Sequence, residues 1–490
     1  MSLLPSGLEP MLVAAILLVG ALAAGTKGTA APRSAAAPPR KEAAAPKKEA
    51  AAPKRTPAAP KAATGRVFPF TVRETTLDNG FRVMVVPYQS PGLVAWWTIV
   101  RAGSRDEIEP GRSGFAHFFE HMMFRGTEAY SRERYNDVLK GLGAEHNAFT
   151  SDDLTAYHVL APSSAIETLM TIESDRFRNL KYPVEDFRKE AGAVLGEYNK
   201  NATNPFRALQ EKLRDTAFRK HPYKHTTMGF LADIKEMPNQ YDYSRTFFDR
   251  FYRPEHCTLL LVGDVDPDRV FAQALQHYGG WARGSYVTKT PVEPKQSESK
   301  RVEVAWPTAT QTYLEAGYRM PAFSTTAPDL PALDLVAELL FSESAPLYQR
   351  LVVDDQWVDV LGGGPEDHRD PYLFTWAARL KKDADAARVE KEITAALEGL
   401  TKELVPAARL APIRQHLRYA LAQRLDTPSG TAEVLARYLA LTGDPGSINR
   451  LYAQYESITP EQIRDVARRT FTAASRTFVT LRRKDADGAQ

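Results

Sequence analysis

The sequence predicts an α+β fold in two domains, and three observations indicate it. The chain has 490 residues, and about 425 of them follow a low-complexity start, which is too many for one ordinary core and suits two domains. Strand-like alternation and helical periodicity succeed one another in the first half, which is typical of α+β domains. The second half repeats the same alternation.

An export segment is predicted at the start, over residues 1–25. Residues 11–25 form an uninterrupted apolar and small-residue run, too short for a comfortable membrane span, which ends in A-L-A-A-G, a plausible signal-peptide cleavage site. No Lys or Arg precedes Met11, whereas Glu9 does, which is unusual for a signal peptide. Translation could therefore begin at Met11, or the segment could remain as a poor anchor.

Residues 26–64 alternate Ala, Pro and Lys and contain no apolar side chain larger than alanine apart from proline. Such a stretch cannot bury enough surface to fold, so we expect a disordered linker that is dispensable for activity. The first 64 residues carry nine Lys or Arg and three Glu, a net +6, whereas the whole chain carries +3. The remainder is therefore acidic. We expect no nucleic-acid interface, and membrane contact at most through the N-terminal segment.

Cys257 is the single cysteine of the chain, so no internal disulfide is possible. Its apolar surroundings predict a small buried strand residue rather than a catalytic thiol. An exported protein without disulfides is consistent with the bacterial periplasm, although it does not require it.

The first domain is predicted over residues 65–284. Its first strands flank the turn signal Asp78-Asn79-Gly80 and continue into L-V-A-W-W-T-I-V. Periodicity predicts helices at residues 130–142 and 165–180, a strand at 154–160 and a buried strand at 258–262.

The candidate functional motif lies in residues 114–126, which read G-F-A-H-F-F-E-H-M-M-F-R-G and contain H-x-x-E-H at His117, Glu120 and His121. Histidines four apart share one face of a helix, where both neutral imidazoles reach one tetrahedral zinc ion. Glu120 lies one residue off that face and is free to act as a base. A catalytic zinc takes three protein ligands, so a third is expected elsewhere. The alternative is that His117 and His121 are core residues whose ring nitrogens are hydrogen-bonded, because a pattern this short also arises by chance.

A second predicted helix offers carboxylates. In K-E-A-G-A-V-L-G-E-Y-N-K, Glu190 and Glu197 are seven residues apart and face the same side of the helix. At this point the chain resembles the insulinase and pitrilysin family of zinc metallopeptidases, which includes mitochondrial processing peptidase and its bacterial relatives. In that family a glutamate ligand follows H-x-x-E-H by some seventy residues, and a second glutamate precedes it by seven. Glu197 and Glu190 match these two positions.

The resemblance extends over further stretches in the same order: A-G-S-R-D-E, F-R-G-T, N-A-F-T-S-D-D-L-T-A-Y, H-P-Y and Y-R-P-E-H-C-T-L-L-L-V-G-D. It implies two homologous α/β domains, each a mostly antiparallel sheet packed with helices, which enclose a peptidase chamber on dimerisation. It also implies a zinc-dependent endopeptidase with one Zn²⁺ per chain, bound by His117, His121 and Glu197. Glu120 would be the catalytic base, and Glu190 would orient a histidine ligand. A solvated helix charge is the alternative for Glu190.

Substrate-binding residues are implied by the same resemblance. Asn147 and Ala148 match the edge strand to which a peptide or unfolded polypeptide adds as a further β-strand. Phe124 matches an aromatic residue that lines the pocket beyond the scissile bond. An asparagine at a strand start and a phenylalanine on an apolar helix also have ordinary structural explanations.

The second domain is predicted over residues 301–484, after a linker at residues 285–300 and before a tail at residues 485–490. T-Y-L-E-A-G-Y-R-M-P predicts a strand and P-A-L-D-L-V-A-E-L-L-F a helix. If Glu338 is aligned with Glu120, Leu335 and Leu339 occupy the histidine positions. The second half therefore resembles a repeat without a metal site, and an unrelated amphipathic helix is the alternative.

One expected feature is missing. Active members of the family bring an arginine and a tyrosine, seven residues apart, from the second domain to the substrate carbonyl. The corresponding stretch here, L-Y-Q-R-L-V-V-D-D-Q-W-V-D-V, has Val352 and Asp359 at those positions in one register, and Arg350 and Trp357 in the other. The oxyanion would lack a hydrogen-bond donor.

We therefore expect the chain to be the H-x-x-E-H subunit of a heterodimer, in which a paralogous subunit carries the arginine and tyrosine. A homodimer is the competing assembly. The alternative function is a catalytically quiet structural or binding subunit of a family complex.

Overall fold

A computed structural model describes residues 66–484. The predicted export segment, the Ala/Pro/Lys linker and the C-terminal tail lie outside the described residues. Within residues 66–484, none of the helices combines the length and the apolar character that crossing a membrane requires.

Six strands form the first sheet: β1 (Arg73–Thr76), β2 (Arg82–Pro87), β3 (Leu93–Val100), β4 (Glu145–Thr150), β5 (Thr155–Pro162) and β6 (Cys257–Gly263). Their order across the sheet is β1-β2-β6-β3-β5-β4. The β2–β6 pair is parallel and the other pairs are antiparallel. β4 therefore lies at one edge of this sheet.

The helices of the N-terminal half are α1 (Phe115–Met122), α2 (Arg132–Gly141), α3 (Ile166–Asn179), α4 (Val184–Asn201), α5 (Pro205–Ala217), α6 (Leu231–Glu236), α7 (Tyr241–Phe251) and α8 (Pro267–Tyr278). Side-chain caps fix several of their starts. The Asn204 side chain accepts the Phe206 N–H, and Pro205 at the first helical position has no N–H to satisfy. The side chains of Ser131 and Asp266 likewise accept backbone N–H groups at the starts of α2 and α8.

The C-terminal half has five strands, β7 (Lys300–Trp306), β8 (Tyr313–Met320), β9 (Val358–Pro365), β10 (Tyr372–Leu380) and β11 (Arg476–Arg483). Its longer helices are α9 (Asp329–Phe341), α10 (Ala386–Lys402), α11 (Leu410–Arg424), α12 (Pro428–Thr442), α13 (Ser447–Ser457) and α14 (Pro460–Thr470). A capping box formed by Thr459 and Gln462 opens α14.

The second sheet has the order β7-β11-β8-β10-β9, which repeats the β2-β6-β3-β5-β4 order of the first sheet. The β7–β11 pair is parallel, as is its counterpart β2–β6. α9 follows β8 as α1 follows β3, and its Leu335 and Leu339 are buried in the second core. The predicted α+β fold with two similar, mostly antiparallel sheets is confirmed.

Each half covers one face of the other half's sheet. α5, from the N-terminal half, packs Phe206, Leu209 and Leu213 into a core that the second sheet provides. α12, from the C-terminal half, packs Leu435 against the first sheet, in a core that includes Trp97 and other residues of β3 and β6. This exchange of helices was not predicted from the sequence.

Candidate metal centre

The helix α1, which carries both histidines, begins at a closely packed glycine. Gly114 has a φ of 90°, and a Cβ there would lie 2.4 Å from Ile234 Cδ1, so a larger residue would be strained. The buried carboxylate of Glu107 accepts the N–H groups of Gly114, at 2.8 Å, and Ala116, at 2.7 Å. These amides lie at the start of the helix, where no helical acceptor is available. Glu107 therefore anchors α1, a role that the sequence did not reveal.

His117, His121 and Glu197 meet between α1 and α4. Glu197 Oε2 lies 3.4 Å from His121 Nε2 and 3.8 Å from His117 Nε2. One possible ligand atom from each residue lies within 4.8 Å of the others. Ligand atoms around one tetrahedral zinc ion lie about 3.3 Å apart, close to the two distances from Glu197, and two imidazoles with one carboxylate are a donor set that zinc accepts at catalytic sites.

Protonation favours metal binding at these three residues. Burial lowers the pKa of His117, which keeps its ring neutral, as a ligand must be. His117 Nδ1 is buried without a hydrogen-bond partner among the described residues. The contact with His121 is the largest of the effects that lower the pKa of Glu197 to about 2, so its carboxylate is ionised at neutral pH.

Glu190 lies behind His121. Its Oε1 accepts a hydrogen bond from His121 Nδ1 at 2.9 Å, and the guanidinium of Arg125 donates to its other oxygen. A proton on Nδ1 leaves Nε2 free to face Glu197. Glu190 is only 6% exposed, so it is a buried partner of His121 rather than a solvated helix charge. The contribution of Arg125 was not predicted from the sequence.

Glu120 is next to the three-residue group without belonging to it. The hydroxyl of Thr150, the last residue of β4, donates to Glu120 Oε2 at 2.7 Å. This contact leaves Oε1 of the half-buried carboxylate available. Thr150 lies in the N-A-F-T stretch, but sequence reasoning assigned it no role.

The outer side of β4 has no strand partner among residues 66–484. The Ser151 N–H donates to the Leu154 carbonyl within the β4–β5 hairpin. Along an antiparallel ladder, residue pairs that exchange hydrogen bonds alternate with pairs that do not. From Ser151 onward this alternation makes Ala148 a residue whose N–H and C=O point away from β5. Asn147 Oδ1 accepts the Ala148 N–H at 2.9 Å. Asn147 and Ala148 therefore both lie on an open sheet edge. There the Asn147 side chain accepts the Ala148 N–H that points away from the sheet.

Phe124 lies just beyond α1, next to the same edge. Its ring is half-buried, 5.8 Å from the ring of His146 on β4. The guanidinium of the buried Arg176 covers it at 5.1 Å. The ring thus borders the open strand and also packs against the first core.

The positions of the missing arginine and tyrosine are structurally occupied. Asp359 accepts two hydrogen bonds from Arg379, at 2.8 and 3.1 Å. In the other register, Trp357 lies beneath the guanidinium groups of Arg350 and Arg388, at 5.7 and 4.8 Å. Neither position offers a phenol, in agreement with the sequence.

Two family models match the chain in succession. One, described as "Insulinase (Peptidase family M16)", covers residues 84–230, which include the whole candidate metal centre. The other, "Peptidase M16 inactive domain", covers residues 240–417. Together they span more than half of the chain. The chain belongs to the insulinase family, peptidase family M16. The resemblance seen in the sequence is confirmed.

Relatives within this M16 family agree with that assignment. The "Zinc protease PqqE" of Helicobacter pylori is 27% identical over 416 residues, which cover 83% of this chain and 92% of the relative. The "Mitochondrial-processing peptidase subunit beta" of Caenorhabditis elegans is 25% identical over 422 residues, 81% of this chain and 86% of that protein. A crystal structure of a protease from Helicobacter pylori matches with a TM-score of 0.79 at 26% identity, over 84% of this chain and 99% of that one. The name of the first of these relatives gives zinc as the metal of that protein.

Proposed function

We propose that this M16 chain is a zinc-dependent endopeptidase that cleaves peptides or unfolded protein segments. The observation that carries the proposal is the convergence of His117, His121 and Glu197, with the separate carboxylate of Glu120 beside them. Relatives named zinc proteases support the same reading.

The contacts support separate roles for the three candidate metal ligands and for Glu120. His117, His121 and Glu197 would hold a zinc ion, which would supply a Lewis acid able to polarise a carbonyl and lower the pKa of water. Glu120 takes the proton of the attacking water and passes it to the leaving amine. The Thr150 hydroxyl occupies one oxygen of Glu120, so the other is the one that exchanges protons.

The open edge of β4 supports an extended peptide as the substrate. A peptide that adds beside β4 forms main-chain hydrogen bonds, including one from the outward N–H of Ala148. Asn147 Oδ1 must release that N–H first. Phe124 then contacts a side chain beyond the scissile bond. Selection would depend on extension and access more than on a single side chain.

We further propose that the active assembly is a heterodimer with a paralogue that lacks H-x-x-E-H and carries the arginine and tyrosine. Two observations support this: Asp359 is engaged by Arg379, and a relative is named as one subunit of mitochondrial-processing peptidase. In a homodimer, Arg350 would have to serve as the donor. Its guanidinium is already paired with Glu392 at 2.9 Å. The missing donors also favour a second candidate function, a catalytically quiet subunit.

The metal and the base are tested separately. Purified wild-type protein should contain about one zinc per chain by elemental analysis and cleave an unstructured peptide. Glu120→Gln should keep the metal and lose cleavage, because ligands and base are different residues. If Glu120→Gln cleaves as fast as wild type, the proposed mechanism is wrong.

The assembly is tested by measuring cleavage with the chain alone and after addition of its paralogue, while light scattering reports the mass. A large gain in rate on mixing, together with a mass of one copy of each chain, supports the heterodimer. Full activity alone, unchanged by the paralogue, contradicts it. Zinc binding without cleavage in either sample favours the quiet subunit.

A further inference from the structure

The turn that follows the edge strand β4 is buried, although hairpin turns usually lie in solvent. Asp152 and Asp153 in this turn are 8% and 4% exposed. Two adjacent buried carboxylates need strong partners, because desolvation of a charge is costly. Their partners come from distant parts of the chain.

One set of partners precedes the metal-binding helix. Ser104 donates its hydroxyl to Asp152 Oδ1 at 2.5 Å, and the Arg105 N–H donates to the Asp152 carbonyl at 2.9 Å. The approach is close enough that a Cβ at Gly103 would lie 2.4 Å from the Asp152 carbonyl oxygen. A few residues later Glu107 anchors α1. The turn is therefore tied to the segment that holds the metal-binding helix.

The C-terminal half supplies another set, from the loop between β9 and β10. His368 Nε2 lies 2.9 Å from Asp152 Oδ2, and the Arg369 N–H donates to Asp153 Oδ2 at 3.1 Å. In the same loop, Asp370 accepts a hydrogen bond from Arg105 Nε at 2.5 Å. The β9–β10 hairpin of the second sheet thus binds the turn of the β4–β5 hairpin through these hydrogen bonds.

His368 is arranged to hold two protons. Nε2 faces the Asp152 carboxylate, and Nδ1 lies 3.2 Å from the Glu366 carbonyl oxygen, so both ring nitrogens face acceptors. Burial opposes the charged ring, but the hydrogen bond and charge of Asp152 outweigh it and raise the pKa of His368 above its usual value. His221 in the same interface differs, since its Nδ1 accepts the Tyr223 N–H.

β4 depends on this turn for its position. It has a neighbouring strand on one side only, and Thr150, which contacts Glu120, directly precedes the turn. A displaced turn would move the open edge and the Thr150 hydroxyl together. The three candidate metal ligands lie on α1 and α4, outside this hairpin.

We propose that His368 and Asp152 form a positioning pair, which holds the substrate-accepting strand β4 against the C-terminal half of the chain. The statement about peptide binding rests on the proposed function, whereas the position of β4 is a property of the folded chain alone. The pair acts through β4 and touches no substrate.

The test compares His368→Gln with His416→Gln in the full chain. His416 is an exposed histidine on α11 and serves as the matched control. Hydrogen exchange is followed by mass spectrometry in peptides that cover residues 145–154 and in peptides from β3 and β6. We expect His368→Gln to speed exchange of residues 145–154 about tenfold, as befits the loss of a buried hydrogen bond between charged groups. β3, β6 and the control variant should be unchanged.

A pH series on the wild type tests the pair without any substitution, in case His368→Gln does not fold. Around the ring lie the charged and titratable groups Asp152, Asp153, Arg214, Tyr223, Glu366, Arg369 and Tyr372. Because the pKa of His368 is raised in the fold, its stabilising contribution is complete below about pH 6.5 and is lost as the pH rises through the folded value. After correction for intrinsic rates, exchange of residues 145–154 should therefore accelerate above neutral pH, and His368→Gln should not show this change.

Equal acceleration in every strand, or unchanged exchange at residues 145–154, would overturn the proposal. KM and kcat of His368→Gln are compared with those of the wild type, provided that the wild type cleaves the peptide. We expect His368→Gln to raise KM about tenfold at unchanged zinc content, with a smaller fall in kcat because Thr150 also contacts Glu120. A loss of kcat with unchanged KM would contradict a positioning role. Absence of cleavage by the wild type would count against the proposed function, and hydrogen exchange would still decide whether the pair positions β4.

Discussion

The imidazole of His121 lies between two carboxylates that affect it differently. Its Nδ1 donates to Glu190, which also receives the guanidinium of Arg125, and its Nε2 faces Glu197. Glu190 is thereby oriented, and it fixes the ring position from which the other nitrogen can bind a metal. A seven-residue separation on one helix thus provides a ligand and the residue that orients its neighbour.

At this scale we predict that Glu190→Gln weakens zinc binding about 10- to 100-fold, because the amide supports the His121 proton less well than a carboxylate. Glu197→Ala should abolish binding, since it removes a ligand. The affinity is measured by competition with a chelator of known strength. Glu185→Gln, at an exposed position on the same helix, is the control and should bind as wild type does. Full zinc occupancy in Glu197→Ala would contradict the ligand assignment.

Among the secondary-structure elements, β4 connects the separate parts of the site. Its outer edge is open at Ala148, its last residue Thr150 contacts Glu120, and the following turn is clasped by the C-terminal half. An edge strand whose outward amides have no strand partner accepts a further strand without rearrangement of the sheet. Its short length limits unwanted pairing with other chains.

We predict that Ala148→Pro raises KM roughly two- to tenfold, the equivalent of one backbone hydrogen bond. The substitution removes an N–H that points away from β5, so the sheet and the zinc content should be preserved. Steady-state cleavage of an extended peptide and elemental analysis measure the two effects. Asn147→Ala frees the same amide instead of removing it, so its KM should not rise. An equal rise in both variants would show that the outward amide does not bind substrate.

Across the whole molecule, the two halves are interlocked by exchanged helices. α5 completes the core on one face of the second sheet, and α12 completes the core on one face of the first. The buried cluster around Asp152 joins the same halves through charged groups. Each half therefore has one core of its own and relies on a helix of the other half to cover the second face of its sheet.

We predict that residues 65–284 expressed alone do not fold cooperatively. Without α12, apolar residues of β3 and β6, among them Trp97, Leu260 and Val262, would face water on one side of the sheet. Near-UV circular dichroism and urea unfolding measure this, and co-expression with residues 285–490 should restore a cooperative transition. A sharp two-state transition for residues 65–284 alone would contradict the expectation.

Much of this protein follows from local sequence patterns. The four-residue spacing of His117 and His121 and the seven-residue spacing of Glu190 and Glu197 each place two side chains on one helix face, wherever the helix lies. Alternating apolar residues likewise predicted most strands, and the repeated alternation predicted the second sheet. The absence of the expected tyrosine was also visible, because the residue type at a position is read directly from the sequence.

Other features depend on contacts between residues far apart in the chain. His368 and Asp152 are 216 positions apart, and nothing in the sequence around either of them indicates the other. The Glu107 anchor, the Thr150 contact with Glu120 and the exchange of α5 and α12 likewise exist only once the chain has packed. Periodicity states which face of an element is apolar but not which partner covers it, because many partners bury the same area equally well. The sequence therefore determined the candidate ligands and the fold class, and the tertiary structure decided how the edge strand is held beside them.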